Sequence, residues 1–162
     1  MTIATTTPAT EAALHTMLED VVAGLSQDQK TLPSKYFYDE RGSKLFDDIC
    51  ELDEYYVTRT ESALMQAEVG DIASVIGPNA LIVEYGSGSS LKTRLLLKNL
   101  IRPAGYVPID ISGDYLSQVG HSLQAEFPHI EVMPVVADFT KSFDVPTPSK
   151  AEARRVIYFP GS

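Results

Sequence analysis

The chain has 162 residues and a net charge of −9, with a pI near 4.7. That length predicts one domain with a real core, and the acidic balance argues against a nucleic acid or an anionic membrane surface as partner. No apolar run approaches the roughly 20 residues that span a bilayer, and a lone cysteine, Cys50, allows no intrachain disulfide, which fits a reducing cytoplasm.

Residues 1–10 are Thr-rich, with no basic segment or apolar core, and read as a disordered leader rather than a signal peptide. Residues 11–79 form a helical and aromatic-loop segment. In it, Leu14, Met17, Leu18, Val21, Val22 and Leu25 recur at steps of three and four, which predicts an amphipathic helix from about Thr10 to Leu25. The stretch Leu32 to Ser43 carries Pro, Gly and three clustered aromatics without a period, and is expected to be an ordered loop. Ser43 to Leu52 has helical spacing, with Ser43 as a candidate cap and Cys50 a buried structural thiol. After an aromatic turn at Asp53 to Val57, Thr58 and Glu61 match a capping box. It is expected to open a helix to Ile76, with Leu64, Met65, Val69, Ile72 and Ile76 on one face, stopped by Gly77-Pro78-Asn79.

From residue 80 to 162 the rhythm becomes strand, helix, strand. Strands are predicted at Leu81 to Glu84, Gly105 to Ile109, Ile130 to Ala137 and Arg155 to Phe159. Helices are predicted at Lys92 to Leu100 and Gly113 to Phe127. This alternation implies an α/β fold with a parallel, right-handed βαβ sheet. Four strands make an incomplete Rossmann-like core, because the fourth has little to cover it, so the sequence reads as the front part of a longer protein.

The chemistry gathers where the strands end. Glu84, Asp110 and Asp138 each close a strand, and ligands of doubly wound sheets sit beyond those ends. Gly86 and Gly88 lie in a Gly/Ser loop before a helix N-terminus, where the backbone can approach a ligand closely. Asp110 follows the loop at about the 20-residue spacing of a ribose-binding acid. Asp138 can accept from an adenine amino group, and Phe139 can pack on the adenine ring. The dinucleotide pattern fails, because Leu91 occupies its third glycine position. The order Glu84-x-Gly86-x-Gly88 instead resembles the first motif of S-adenosylmethionine-dependent methyltransferases, with Ser90 in place of their third glycine. Lys92, in the first helical turn, is a candidate cation for the carboxylate of the cofactor's methionine end. His15, His121 and His129 are scattered without ligand spacing, so no metal site is predicted.

Further segments carry a more specific likeness. Leu32 to Asp39, Gly42 to Asp47, Glu54 to Glu61, Gly86 to Arg94, Asp138-Phe139-Thr140 and Phe159 to Ser162 resemble the histidine Nα-methyltransferases of ergothioneine biosynthesis. Val57 departs from the Pro often found there, and Tyr85 from the usual Leu. The resemblance implies a Rossmann-like methyltransferase fold, S-adenosylmethionine as donor, and trimethylation of the α-amino group of L-histidine to hercynine. It implies substrate contacts at Tyr55 and Tyr38, and cofactor contacts at Gly86, Lys92, Asp110, Asp138 and Phe139, with Gly88 in the same loop. No catalytic base is assigned. A cytoplasmic protein, monomeric at full length, is expected, and the isolated 162-residue chain is expected to be inactive. Two alternatives stay open: a related N-methyltransferase for another amino acid, such as a prenylated tryptophan, and a non-catalytic cofactor-binding remnant.

Overall fold

In a computed structural model, residues 8–37, 39–88, 90–149 and 153–160 are described. Two compact units divide the chain, Met1–Phe37 and Tyr38–Ser162. Of the expected leader, residues 1–7 lie outside the described residues.

The first unit holds helix α1 (Pro8–Leu25) and a single 3₁₀ turn (Ser34–Phe37). Thr31 N–H donates to the Gly24 carbonyl, and a Cβ at Gly24 would stand 2.1 Å from the Thr31 oxygen, so the loop can fold back only over a glycine. The Asp20 carboxylate accepts from the Tyr36 hydroxyl at 2.5 Å and pairs with Lys35 at 3.1 Å. Leu14, Met17, Leu18, Val22 and Leu25 are exposed.

The second unit begins with α2 (Glu40–Cys50) and α3 (Tyr56–Ile76). Helix α2 starts three residues ahead of the expected Ser43, because the Asp39 carboxylate accepts from Gly42 N–H at 2.7 Å and caps it there. The capping box at Thr58 and Glu61 does not form. Arg59 closes the turn from the helix side, donating to the Leu52 and Asp53 carbonyls at 2.7 and 2.6 Å, so α3 opens at Tyr56. Thr58 instead donates to the sulfur of Cys50, which is half-buried rather than enclosed. Helix α3 buries Met65, Val69, Ala73 and Ile76, a stripe narrower than expected that leaves Leu64 exposed.

Four parallel strands follow: β1 (Ala80–Tyr85), β2 (Gly105–Asp110), β3 (Val135–Val136) and β4 (Arg154–Tyr158), in the order β3-β2-β1-β4. Helices α4 (Leu91–Asn99) and α5 (Gly113–Glu126) make the crossovers. This is the α/β Rossmann-like architecture expected from the alternation. One sheet face, with Ala80, Ile82 and Tyr106, packs on Met65 and Val69 of α3, Leu96 and Leu97 of α4, and Val119 and Leu123 of α5. On the other, Leu81, Val83, Val107 and Ile109 meet Met133, Phe143 and Val145. Burial on both sides is why β1 reads as a continuous apolar run.

The third strand is far shorter than Ile130 to Ala137. Its register places Pro134 opposite Pro108, and Pro108 lies on the side of β2 that bonds this segment, where Tyr106 N–H donates to the Glu131 carbonyl, so the ladder lacks a donor at Pro108. Only an isolated bridge between Tyr106 and Val132 survives upstream.

Ile82 is fully buried, whereas Leu64 is 62% exposed, although both belong to apolar runs. Ile82→Ala should lower unfolding free energy by about 3 kcal/mol, and Leu64→Ala by less than about 0.5 kcal/mol, in urea denaturation. Equal losses would contradict this placement of the core.

Candidate active site

The strand ends and the loop after β1 form one constellation. Gly86 and Gly88 take left-handed conformations, with φ of 66° and 48°. The N–H groups of Gly86 and Ser87 both donate to the Ile109 carbonyl, at 2.9 and 3.1 Å, which folds the loop over the end of β2. Asp110 fastens it: one carboxylate oxygen accepts from Gly88 N–H at 3.1 Å and the other from Ser112 N–H at 3.0 Å.

Ser90, the N-cap of α4, also stands at positive φ, 55°, and its side chain does not cap the helix. The first turn of α4 thus keeps backbone N–H groups for a ligand. A Cβ at Gly88 would meet nothing within 4 Å, so the backbone there faces open space. Ser87 Oγ is buried with no partner among the described residues. An adenosyl amino acid fits this cradle: it offers carboxylate and hydroxyl oxygens to backbone donors, and a ring for an aromatic side chain.

Phe139 supplies such a side chain. Its ring lies 3.8 Å from where a Gly86 Cβ would be, packs on Tyr85 and Phe159, and is partly exposed. Asp138 is drawn into a local turn. One of its oxygens accepts from Thr140 N–H at 3.0 Å and Thr140 Oγ1 at 2.5 Å, which orients the carboxylate at the loop's edge.

Lys92 stands in the first turn of α4 as expected, but its ammonium is paired with Glu61 of α3 at 2.6 Å, both side chains being partly buried. Tyr55 lies less than two turns upstream on the same element, at the α3 N-cap. It is half-buried, with its ring edge-on to Phe46 of α2. Tyr38 lies outside the described residues. A further tie joins these aromatic segments to the loops at the strand ends: Tyr115 of α5 donates to Asp47 of α2 at 2.7 Å, and burial and this carboxylate push the Tyr115 hydroxyl up.

Beneath the Gly loop, the strand-end acid Glu84 meets two partners, Thr93 and Tyr106, that spacing did not single out. Glu84 is 2% exposed, and its Oε2 accepts from Thr93 Oγ1 at 2.6 Å and from the Tyr106 hydroxyl. Tyr106 in turn meets Ser90 Oγ at 3.0 Å. Thr93 and Tyr106 sit at apolar positions of a helix and a strand, and polar atoms there are the signal that a buried network exists. Burial pushes the Glu84 carboxyl up to about 7, against the pull of the two hydroxyls and Lys92.

A carboxyl raised from 4.5 to about 7 holds its proton in the folded state while the unfolded chain has lost it. The folded state is therefore favoured below pH 4.5, and that contribution is lost as pH rises through 7. Relative to Glu84→Gln, which carries no titrating group there, the unsubstituted protein should lose about 3 kcal/mol across this window. Denaturation midpoints of both proteins from pH 4.5 to 8 check this; parallel curves would remove the buried-acid assignment.

Comparison with known proteins agrees with this geometry. Residues 17–162 match the family described as histidine-specific, S-adenosylmethionine-dependent methyltransferases. The chain is 39% identical over 159 residues to the histidine N-alpha-methyltransferase of Mycolicibacterium smegmatis, covering 95% of this chain and 48% of that protein. It is 36% identical to ergothioneine biosynthesis protein 1 of Neurospora crassa, over 55% of this chain and 10% of that protein. It is 29% identical to the 4-dimethylallyltryptophan N-methyltransferase of Aspergillus fumigatus, over 71% of this chain and 34% of that protein. The chain thus spans about half the length of the mycobacterial relative. With a family match across nearly its whole length, the chain belongs to the histidine-specific, S-adenosylmethionine-dependent methyltransferases.

Proposed function

We propose that this protein methylates the α-amino group of L-histidine three times, with S-adenosylmethionine as donor, and releases hercynine for ergothioneine biosynthesis. The observation that carries the reading is the left-handed Gly86–Gly88 loop, fastened by Asp110 and flanked by Phe139, in a chain of this family. The cofactor supplies an electrophilic methyl group on a sulfonium.

The chain's own residues bind and orient. Gly86 and Gly88 bring backbone to the methionine end. Asp110 retains acceptor capacity beyond its two backbone bonds, which suits ribose hydroxyls. Asp138 takes the adenine amino group, and Phe139 lies against the ring. Lys92, at the N-terminal end of α4, attracts the amino-acid carboxylate, and its partial burial strengthens that attraction.

Each transfer needs a neutral amine in line with the S–CH3 bond, so one proton leaves before each of the three steps. Positive charge then passes from sulfur to nitrogen. Tyr55 and Tyr38 suit this, since aromatic faces favour ammonium groups and hydroxyls orient an amine without adding full charge. A single cysteine, which can form no intrachain disulfide, fits a reducing cytoplasmic setting.

In the full-length protein, Lys92→Ala and Asp110→Ala should each weaken S-adenosylmethionine binding at least about tenfold by calorimetry. Unchanged affinity in both would sink the cofactor assignments. Mass spectrometry of products from L-histidine and from 4-dimethylallyltryptophan decides the acceptor. Hercynine is the expected product; methylation of the tryptophan derivative alone would replace this reading with that of the Aspergillus relative.

A further inference from the structure

Ser90 stands where methyltransferases of this fold class have a third glycine, and it keeps the left-handed backbone that glycine favours. Other non-glycine residues with positive φ, Asn79 and Arg102, lie in turns that precede β1 and β2, at the opposite strand ends. Ser90 is the one placed between the Gly loop and α4. Its backbone sets both neighbours: Ser90 N–H donates to the Ser87 carbonyl at 2.8 Å, and its own carbonyl accepts from Arg94 N–H at 3.0 Å. If Ser90 relaxed to an ordinary conformation, the loop and the first turn of α4 would separate.

The side chain of Ser90 is used unusually. An N-cap serine normally accepts from its own helix. Here the hydroxyl turns away from the helix to the Tyr106 hydroxyl, which donates to Glu84, which also accepts from Thr93. All four residues are buried, with exposures of 3%, 0%, 2% and 0%. The chain of hydroxyls therefore runs from the fixed floor of the sheet to the one non-glycine residue at positive φ among the described residues of the cradle, in a setting where an unmade bond is costly.

We propose that Tyr106 is a positioning residue for the cofactor loop, its hydroxyl holding Ser90 in the left-handed conformation that substitutes for the missing glycine. It touches no cofactor and acts only through Ser90. This deepens the cofactor reading above and rests on it. A loop that visits other conformations binds in proportion to its competent fraction, so loss of the hydroxyl reads out as weaker affinity.

The test is a double-mutant cycle in the full-length protein, using S-adenosylmethionine as the probe. Tyr106→Phe should weaken binding about tenfold, and the same substitution combined with Ser90→Gly should cost less than about threefold relative to Ser90→Gly alone, because glycine needs no holding. A purely structural tyrosine would give the same loss in both backgrounds, and that result would overturn the proposal. Should Tyr106→Phe fail to fold, Ser90→Ala removes the other end of the bond, together with a longer 3.4 Å contact from Ser90 Oγ to the Ser87 carbonyl, and should give at least the same tenfold loss; unchanged affinity there would also overturn it. Amide exchange of residues 86–93 without cofactor separates this proposal from the cofactor reading. It should speed up in Tyr106→Phe and be restored by Ser90→Gly, whether or not S-adenosylmethionine binds; no change in exchange refutes the positioning role by itself.

Discussion

A single carboxyl group, Glu84, is buried at the point where the central strand gives way to the loop. Burying a charge there is expensive unless donors surround it. Thr93 and Tyr106 supply them, one from α4 and one from β2. The same contact therefore sets the rotation of α4, the depth of β2 beside β1, and, through Tyr106, the backbone of Ser90. Lys92, held by Glu61 of α3, adds a favourable charge from a third element. Removing this acid would unmake the floor on which the Gly loop stands.

Asp110 works on the same loop from the side, and with opposite chemistry. Glu84 is enclosed and takes side-chain hydroxyls; Asp110 is half-buried and takes backbone N–H groups. Between them the loop is fixed from below and from the edge, while the first turn of α4 has no side-chain cap from Ser90. Under the proposed cofactor reading, a loop fixed in this way lowers the cost of binding. Tyr115 extends the arrangement by bonding to Asp47, so the helix after Asp110 is tied to the aromatic segment that carries the proposed substrate contact at Tyr55.

Periodicity made most elements legible. The ends of α3, α4, α5, β1, β2 and β4 lie within one or two residues of their expected positions, since each carries an unbroken helical or buried-strand pattern with a Gly or Pro boundary. The misses have identifiable causes. Helix α2 was expected to start at Ser43, because the helical spacing begins there and the Asp39 cap upstream lay in a segment without a period. The Thr58 box does not form because α3 already runs from Tyr56, with Thr58 turned to Cys50 and Glu61 to Lys92, partners that no spacing rule shows. β3 is shorter than expected because Pro108, on the side of β2 that bonds it, has no N–H to give, which only the strand register reveals. Lys92 was placed on its helix, but Glu61, separated by 31 positions, was not visible as its partner.

By itself, then, the order of residues determined the alternating α/β plan, the Gly loop and the acids at the strand ends, because these depend on short-range pattern. Tertiary structure decided which of those polar groups lie beneath the loop and which stand at its edge. Glu84 and Asp110 both end strands in the sequence, yet one sinks beneath α4 and the other turns to the loop. That difference arises from packing: neighbouring strands and helices bring Tyr106 and Thr93 over one carboxylate and leave the other beside open backbone donors. No local spacing encodes it, since the partners meet only after the sheet has formed.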